Sequence, residues 1–485
     1  MDNTFEPTLP ELIASGELAL AREPLRVWLA EHRLAQEARH IFGQWLECKG
    51  EPALVRESIG EWLKVHGTSE SASFVYGAWL EAGGDLELVR ADLTAWLELY
   101  AANTCARFVY KFWLDSGGDL GLVREPITQW LTEHAQTQEA QFVYKAWLAA
   151  KGEHELIRGP IETWIAKHTR DPVARYVIQA WLIAGGDPEV VREPTRSWMA
   201  ANITSEDARF VFKAWLENTD QLGFIRGFMS QWLETHKCSL DTQFLYKEWL
   251  RTGGELEFVQ GPIGEWLKQH ETQPEAVFVY SAWLMAGGAS KFIASSVQRW
   301  LAVHASAFGA RFFYKVWLDH GGDRELVQNG LRSWIEQHTT SLDAYFIYRS
   351  WLDAGGEPEF VYEPLRTWLG EHGNSLEAPP LFKSWLAAKG EIDFVRPWIE
   401  AWLTEHAQAL VARVVIGAWL DAGGEPETMR EALHRWMMAN GAERDAQFAY
   451  RSWLGAGGDL EFVHKPLQAW LAKHGESLEA QLPLR

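Results

Sequence analysis

Tryptophan marks a 34-residue period in the pattern of apolar and polar positions along this chain. Of its 28 tryptophans, 27 lie on two series that each advance by 34 residues, and the second series is offset from the first by 17. The first tryptophans run from Trp45 to Trp453 and the second from Trp28 to Trp470, and only Trp398 lies outside them. A fixed period of this length is typical of stacked arrays in which each repeat buries its apolar face on its neighbours.

One repeat, residues 107–140, fits two helices. The first, around Trp113, is apolar on more than one face, as expected of a helix that lies between two neighbouring repeats. The second carries a single amphipathic stripe, in which Val123, Ile127 and Leu131 are spaced by four residues. The pattern therefore predicts a helix-turn-helix unit.

The turn between the two helices also has a regular composition. Glycine lies five residues after the first tryptophan in 12 of 13 repeats, and Asp220 is the exception. We expect this glycine to adopt the left-handed conformation that ends a helix. Asp or Glu follows in 11 of the 13 repeats. Asp can cap the next helix, and Glu can favour its positive end.

Seven second helices contain a proline four residues before their tryptophan. An interior proline removes a helical hydrogen bond and costs about 3 kcal/mol. We therefore expect the segment to begin as a short helical turn, to break, and to restart with proline at the first helical position. Each repeat would then hold two long helices and one short one. These prolines are Pro24, Pro126, Pro160, Pro194, Pro262, Pro364 and Pro466.

The unbroken period predicts a single continuous array over residues 1–485, an all-α, right-handed α-solenoid superhelix of about 14 helical pairs. At its start, Gly16 keeps the helix stop in register, but Glu11 occupies the place of a first tryptophan. The expected parts are a degenerate N-terminal capping helix (1–18), regular repeats (19–474) and an incomplete C-terminal repeat (475–485).

The 34-residue unit, with an aromatic residue early in its first helix, resembles the tetratricopeptide-like α-solenoids along the whole chain. It departs from their usual pattern, in which glycine lies inside the first helix and proline ends the second. Here Gly117 and Gly118 follow the first helix, and Pro126 precedes the core of the second. The resemblance implies a protein-binding scaffold whose first helices line a concave surface.

Composition narrows the class of protein. A hydrophobic content of 47% excludes a disordered chain, and no apolar run approaches the roughly 20 residues that cross a membrane. The N-terminal sequence is acidic and lacks a secretory pattern, which favours the cytoplasm. The three cysteines occupy three different repeat positions, so their spacing predicts neither a disulfide framework nor a zinc site.

Two recurring side chains invite a functional interpretation. The tryptophans could form a ladder for aromatic stacking, but each lies within an apolar stripe, so we expect them in the core with their indole nitrogens bonded to buried acceptors. Histidine lies four residues after the second tryptophan in 11 of 14 repeats, as at His134. Equivalent side chains in neighbouring repeats should be about 10 Å apart, too far to share a metal ion. We expect these histidines to cap helices or to pack beneath loops.

A basic stripe on the first helices is the candidate binding site. Arg often lies six residues before the first tryptophan, and Lys or Arg two residues before it, on one helix face. An acidic residue often follows at the next i+4 position, so solvated ion pairs are the simpler interpretation. The alternative is contact with an acidic or phosphorylated partner. The candidates are Arg107, Lys111, Lys145, Arg175, Arg209, Lys213, Lys247, Arg311, Lys315 and Arg349.

These patterns predict a non-enzymatic scaffold that binds a protein or a peptide over an extended surface. No catalytic motif or cofactor-binding motif is present. The net charge of −21 opposes nucleic-acid binding, although a basic groove on an acidic rod keeps nucleic acid or a phosphoprotein as an alternative. A sensor or scaffold subunit of a larger signalling or immune assembly is the third possibility.

Overall fold

Short turns join α-helices throughout the computed structural model, which describes residues 8–474. That range holds 28 helices and no strand. The helices form 14 pairs, which confirms the predicted number of repeats. None of them is both long enough and apolar enough to cross a membrane.

The helices fall into two compact units, Met1–His236 and Lys237–Arg485. In each pair a shorter first helix precedes a longer second helix. The first unit contains α1 (Leu9–Ala14), α2 (Leu18–His32), α3 (Ala38–Glu47), α4 (Pro52–His66), α5 (Ala72–Glu81), α6 (Leu86–Tyr100), α7 (Ala106–Asp115), α8 (Leu120–His134), α9 (Ala140–Ala149), α10 (His154–Lys167), α11 (Ala174–Ile183), α12 (Pro188–Asn202), α13 (Ala208–Asn218) and α14 (Leu222–His236). The second contains α15 (Thr242–Arg251), α16 (Leu256–His270), α17 (Ala276–Met285), α18 (Ser290–His304), α19 (Ala310–Asp319), α20 (Arg324–His338), α21 (Ala344–Asp353), α22 (Pro358–His372), α23 (Ala378–Ala387), α24 (Ile392–His406), α25 (Ala412–Asp421), α26 (Pro426–Asn440), α27 (Ala446–Gly455) and α28 (Leu460–His474).

Each unit is an all-α solenoid in which helical pairs stack in sequence order. First helices pack on the first helices of neighbouring pairs, as α5 does on α3 and α7, and each also contacts its own second helix. The right-handed coiling and the continuity of one array over residues 1–485 stay predictions. The predicted incomplete repeat at 475–485 lies outside the described residues.

The core consists of the tryptophans and the aliphatic residues beside them. Every tryptophan is buried except Trp28 and Trp398, which are partly exposed. In α7, Val109 and Trp113 face the core together with the aliphatic stripe of α8. Burial of the regularly spaced tryptophans confirms their predicted place between stacked helices.

The first helices end in a turn that differs from the predicted one. Gly117 has φ 77°, and its N–H donates to the carbonyl of Leu114 at 3.0 Å. The N–H of Gly118 donates to the carbonyl of Trp113 at 2.9 Å, which completes a Schellman motif. The left-handed residue thus lies four residues after the tryptophan, so its predicted position five residues after is wrong. In three repeats that left-handed residue is a lysine: Lys49, Lys151 and Lys389.

The more regular glycine, five residues after the tryptophan, is required by a close contact. A Cβ on Gly118 would lie 2.3 Å from Cε2 of Trp113. In all twelve repeats with this glycine, the nearest indole atom would lie 2.1–2.4 Å from such a Cβ. No side chain fits at that distance. Glycine is therefore required here by the tryptophan ring packed against it, and not by its backbone angle.

The start of the array is one residue out of the predicted register. Gly16 has φ 79°, and its N–H donates to the carbonyl of Ile13. It therefore corresponds to the left-handed residue of later repeats, which makes Leu12, and not Glu11, the counterpart of the first tryptophan. A Cβ on Gly16 would meet no atom within 4 Å, as is also true of Gly117.

The second helices are continuous, so the predicted break at proline is wrong. α8 runs from Leu120 to His134 with Pro126 inside it. The missing N–H leaves one helical hydrogen bond unmade, opposite the carbonyl of Leu122. Buried side chains lie on both sides of the proline, including Val123 and Ile127. Burial of this stripe outweighs the local cost and keeps the helix continuous through the proline.

Candidate functional site

The indole nitrogens belong to the framework of the repeats. The first tryptophans bond within their own repeat, as Trp113 Nε1 donates to the carbonyl of Asp119 at 3.0 Å. The second tryptophans reach the turn that follows the preceding second helix, as Trp130 Nε1 donates to the carbonyl of Asn103 at 3.0 Å. These bonds confirm the buried acceptors predicted for most of the indoles, whereas Trp215 Nε1 and Trp436 Nε1 are buried without a hydrogen-bond partner. They also leave the tryptophans unsuited to stack on a ligand.

The recurring histidines join the same framework. His134 packs on Trp130 with 4.8 Å between ring centroids, and its Nε2 lies 2.8 Å from the carbonyl oxygen of Ala102. The ring therefore lies beneath the preceding turn, which confirms the predicted packing role. The same bond, to the carbonyl 32 residues earlier, is made by His66, His134, His168, His270, His304, His372 and His474.

The surface feature that stands out is a row of exposed aromatic side chains on the first helices. The residue five positions before the first tryptophan is aromatic in ten of 13 repeats. Nine of these side chains are 38–70% exposed, and we call them the aromatic row. In the first unit the row consists of Phe74, Phe108, Phe142, Tyr176 and Phe210. In the second unit it consists of Phe244, Phe278, Phe312 and Phe448.

The geometry of the first helices places the aromatic row on their exposed face. In α7 the buried positions include Val109 and Tyr110, so Phe108 lies on the opposite face. The Tyr110 hydroxyl donates to the carbonyl of Ala101 at 2.7 Å, at the end of the preceding second helix. Burial raises the pKa of this hydroxyl far above its usual value, so it remains a hydrogen-bond donor. The bond fixes the rotation of the first helix and with it the exposure of the row.

Several residues of the predicted basic stripe form ion pairs within their own helix. Lys111 lies 2.8 Å from Asp115, and Arg349 lies 3.2 Å from Asp353. The equivalent pairs elsewhere are Lys213 with Glu217 and Lys315 with Asp319. The i,i+4 pairing expected from the sequence is therefore present, and it balances these four charges locally.

Two arginines of the stripe link neighbouring repeats. Arg175 pairs with Asp207, and Arg311 pairs with Asp343 at 3.3 Å. Their side chains are only 12% and 14% exposed. These two guanidinium groups therefore hold first helices together and present little surface to a partner.

The remaining predicted residues lie against or beside the row. The guanidinium of Arg107 is 4.3 Å from the ring centroid of Phe108, and that of Arg209 is 4.8 Å from Phe210. Lys145 places its ammonium 4.9 Å from the ring of Tyr176 in the next repeat. Lys247 is exposed on α15. The stripe and the aromatic row thus interleave on one face, as cation–π contacts allow.

A cavity lies between second helices of the first unit. This cavity, of about 420 Å³ between α6 and α8, is lined by Thr94, Leu97, Pro126 and Gln129, among others. Its ionisable lining residues are Glu98 and Glu125, so no basic side chain lines the cavity beside them. It therefore ranks behind the aromatic row as a candidate site.

Sequence reasoning placed Phe108 in the apolar part of its helix and so missed its exposure. The helical periodicity could have revealed it, because position 108 does not lie on the same face of the helix as the buried residues Val109 and Trp113. An aromatic residue repeated on the polar face is the sign of a surface role.

No protein-family model matches the chain, and no curated protein matches its sequence. The site is therefore interpreted from its own geometry.

Proposed function

We propose that this chain is a scaffold that binds a protein or a peptide, and that the aromatic row is its contact surface. The observation that carries the proposal is the repeated exposure of a large aromatic side chain at one helix position. Exposed apolar side chains that recur along one surface are typical of interaction sites, and aromatic residues dominate the binding energy of interfaces.

The charges of this face favour a protein over a nucleic acid. A polyanion gains affinity by replacing counterions with lysine and arginine side chains. Here Lys111, Lys213 and Lys315 already face carboxylates in their own helices. Repulsion from those carboxylates would oppose a phosphate backbone, whereas a peptide can use the rings between them.

The experiment is a selection of displayed random peptides on the purified chain and on two variants. The row variant replaces six exposed rings by glutamine: Phe74→Gln, Phe108→Gln, Phe142→Gln, Phe244→Gln, Phe278→Gln and Phe312→Gln. The control variant replaces six apolar residues of second helices that are 59–77% exposed: Leu20→Gln, Val27→Gln, Val65→Gln, Leu99→Gln, Val303→Gln and Met438→Gln. Circular dichroism verifies that both variants keep their helices.

Peptides enriched on the unmodified chain should bind the control variant normally and the row variant at least about tenfold more weakly, since roughly 1.4 kcal/mol of contact energy is a tenfold change. Equal binding to all three proteins would show that another surface is used. Enrichment of a random single-stranded RNA pool in place of any peptide would favour the nucleic-acid alternative.

A further inference from the structure

Resting on the proposed function, we infer that the ligand of the aromatic row is a proline-rich segment in the polyproline II conformation. Within a unit, one proline of every three would pack on each successive ring. The inference depends on the spacing of the rings, on which side chains an extended ligand presents on one side, and on the charges beside the row.

The spacing comes from a guanidinium that lies between two members of the row. Arg175 Cζ is 4.5 Å from the ring centroid of Tyr176 and 5.6 Å from that of Phe210. The two centroids are therefore at most about 10 Å apart, because their separation cannot exceed the sum of the two distances. Packed helices are typically 8–10 Å apart, so the other ring pairs within each unit should have a similar spacing.

Polyproline II matches this spacing in both distance and side-chain direction. It advances about 3.1 Å per residue with three residues per turn, so every third residue returns to the same side after about 9.3 Å. A β-strand covers a similar distance in three residues, but its third residue points to the opposite face. Aromatic surfaces that recognise proline-rich segments exploit the same geometry.

The charges beside the row complement an uncharged ligand that is rich in hydrogen-bond acceptors. Polyproline II makes no internal hydrogen bonds, so its carbonyl oxygens are free to accept. Arg107 and Lys145 place N–H donors beside the rings of Phe108 and Tyr176. An α-helix with an apolar stripe every seven residues would advance about 10.5 Å, but its carbonyls are already bonded and cannot use these donors.

The test measures binding of fluorescein-labelled synthetic peptides to the purified full chain by fluorescence anisotropy. The first probe contains four repeats of Pro-Ser-Ser, and the second contains four repeats of Pro-Ser-Ser-Ser. Both have the same number of prolines and no charge. The further probes are a heptad peptide with leucine at every seventh position and an oligouridine of similar length.

We expect the period-three peptide to bind about tenfold more tightly than the period-four peptide, because only the first places all its prolines on the rings. Its affinity should fall about tenfold or more in the row variant and stay unchanged in the control variant. Equal binding of the two proline peptides, or binding that survives in the row variant, would overturn the inference.

The failure of the inference can be told apart from the failure of the proposed function. If the displayed peptides or the heptad peptide bind through the row while both proline peptides do not, the scaffold role stands and the proline-rich ligand is wrong. If oligouridine alone binds through the row, both are wrong.

Discussion

The two units share one framework but differ in the contacts that their second helices make. In the first unit, the residue six positions before the second tryptophan is always arginine. At least five of these seven arginines reach the carboxylate that precedes the next second helix, as Arg56 does to Asp85 at 2.8 Å and Arg124 to Glu153 at 2.9 Å. The same contact joins Arg22 to Glu51, Arg90 to Asp119 and Arg158 to Asp187.

The second unit has replaced most of these arginines. At the same position it carries Gln260, Ala294, Gln328 and Tyr362. In most of its repeats, a phenylalanine eight residues before the second tryptophan packs on the first tryptophan of the same repeat, as Phe224 already does on Trp215 at the end of the first unit. The stacked pairs, with their centroid distances, are Phe258 and Trp249 (4.6 Å), Phe292 and Trp283 (4.7 Å), Phe360 and Trp351 (4.3 Å), Phe394 and Trp385 (4.5 Å), and Phe462 and Trp453 (5.0 Å). The first six second helices of the chain have leucine or valine there.

The difference teaches that a buried core of constant composition accepts either ionic or aromatic links at its edge. Exposed ion pairs weaken with salt and with protonation of the carboxylate, whereas ring stacking responds to neither. The turns before the first helices are also more apolar in the second unit. The residue nine positions before the first tryptophan is exposed and apolar at Leu240, Phe308, Leu342, Leu376 and Leu410, all in the second unit.

The largest expected effect is the loss of a buried tryptophan. Trp113→Ala in the first unit and Trp249→Ala in the second should each cost about 3–5 kcal/mol of local stability. The cost should be greater at Trp249, because its stacking on Phe258 adds about 0.5–1.5 kcal/mol. Hydrogen exchange resolved by peptide mapping measures the loss of local stability in each mutant. Equal protection in the mutants and the parent would show that the rings do not hold the repeats together.

The two glycines of the turn allow the steric contact with the tryptophan ring to be measured separately from the cost of a left-handed backbone. Gly118→Ala should cost about 3 kcal/mol, because the new Cβ would overlap the indole of Trp113. Gly117→Ala should cost about 1 kcal/mol, which is the strain of a left-handed alanine. Urea denaturation compares the two. Gly254 and Gly253 of the second unit are the matched pair, and a reversed order in either unit would contradict the contact with the ring.

The end of the first unit contains a defect that a single substitution should repair. Thr195 occupies a core position of α12, and its hydroxyl is buried without a hydrogen-bond partner. Thr195→Val should therefore stabilise α12 by about 1 kcal/mol, since it removes an unsatisfied polar group at constant shape. Slower amide exchange in α12 is the readout. Thr94→Val is the control, because the hydroxyl of Thr94 is exposed and donates to the carbonyl of Arg90. A gain at Thr94 equal to that at Thr195 would contradict the explanation.

The smallest effect concerns pH and is expected in the first unit. The hydrogen bond from Arg56 lowers the pKa of the Asp85 carboxyl below its usual value. A lowered carboxyl pKa stabilises the fold above the pKa of the unfolded state, near 4, and that stability is lost as the pH falls through the folded-state value.

Arg56→Gln should therefore increase amide exchange in the first unit at neutral pH and have less effect in acid or in about 1 M salt, where the Debye length is about 3 Å. Gln260→Arg in the second unit is the reverse substitution. It should bring no gain, because the position that faces residue 260 holds Ala289, which has no carboxylate. An effect of Arg56→Gln that is independent of pH and salt would assign its role to packing.

The sequence alone determined those features that depend on a residue's own helix. The 34-residue period predicted 14 helical pairs because helix spacing and turn residues act locally. It placed the tryptophans in the core and His134 beneath a turn, since both continue apolar stripes that must be buried somewhere. Asp119 caps the next helix as its position predicts, through a bond from the backbone N–H of Leu122.

Only the tertiary structure decided the features that depend on atoms brought close from elsewhere. Gly118 is needed because an indole ring lies across it, and Pro126 stays inside a helix because neighbouring repeats bury the residues on both sides. Arg175 is engaged by a carboxylate 32 residues away, while Phe108 beside the same stripe is left exposed. Spacing along one helix cannot distinguish a paired arginine from a free one, or a buried ring from an exposed one. Both depend on which atoms the neighbouring repeat places against that helix.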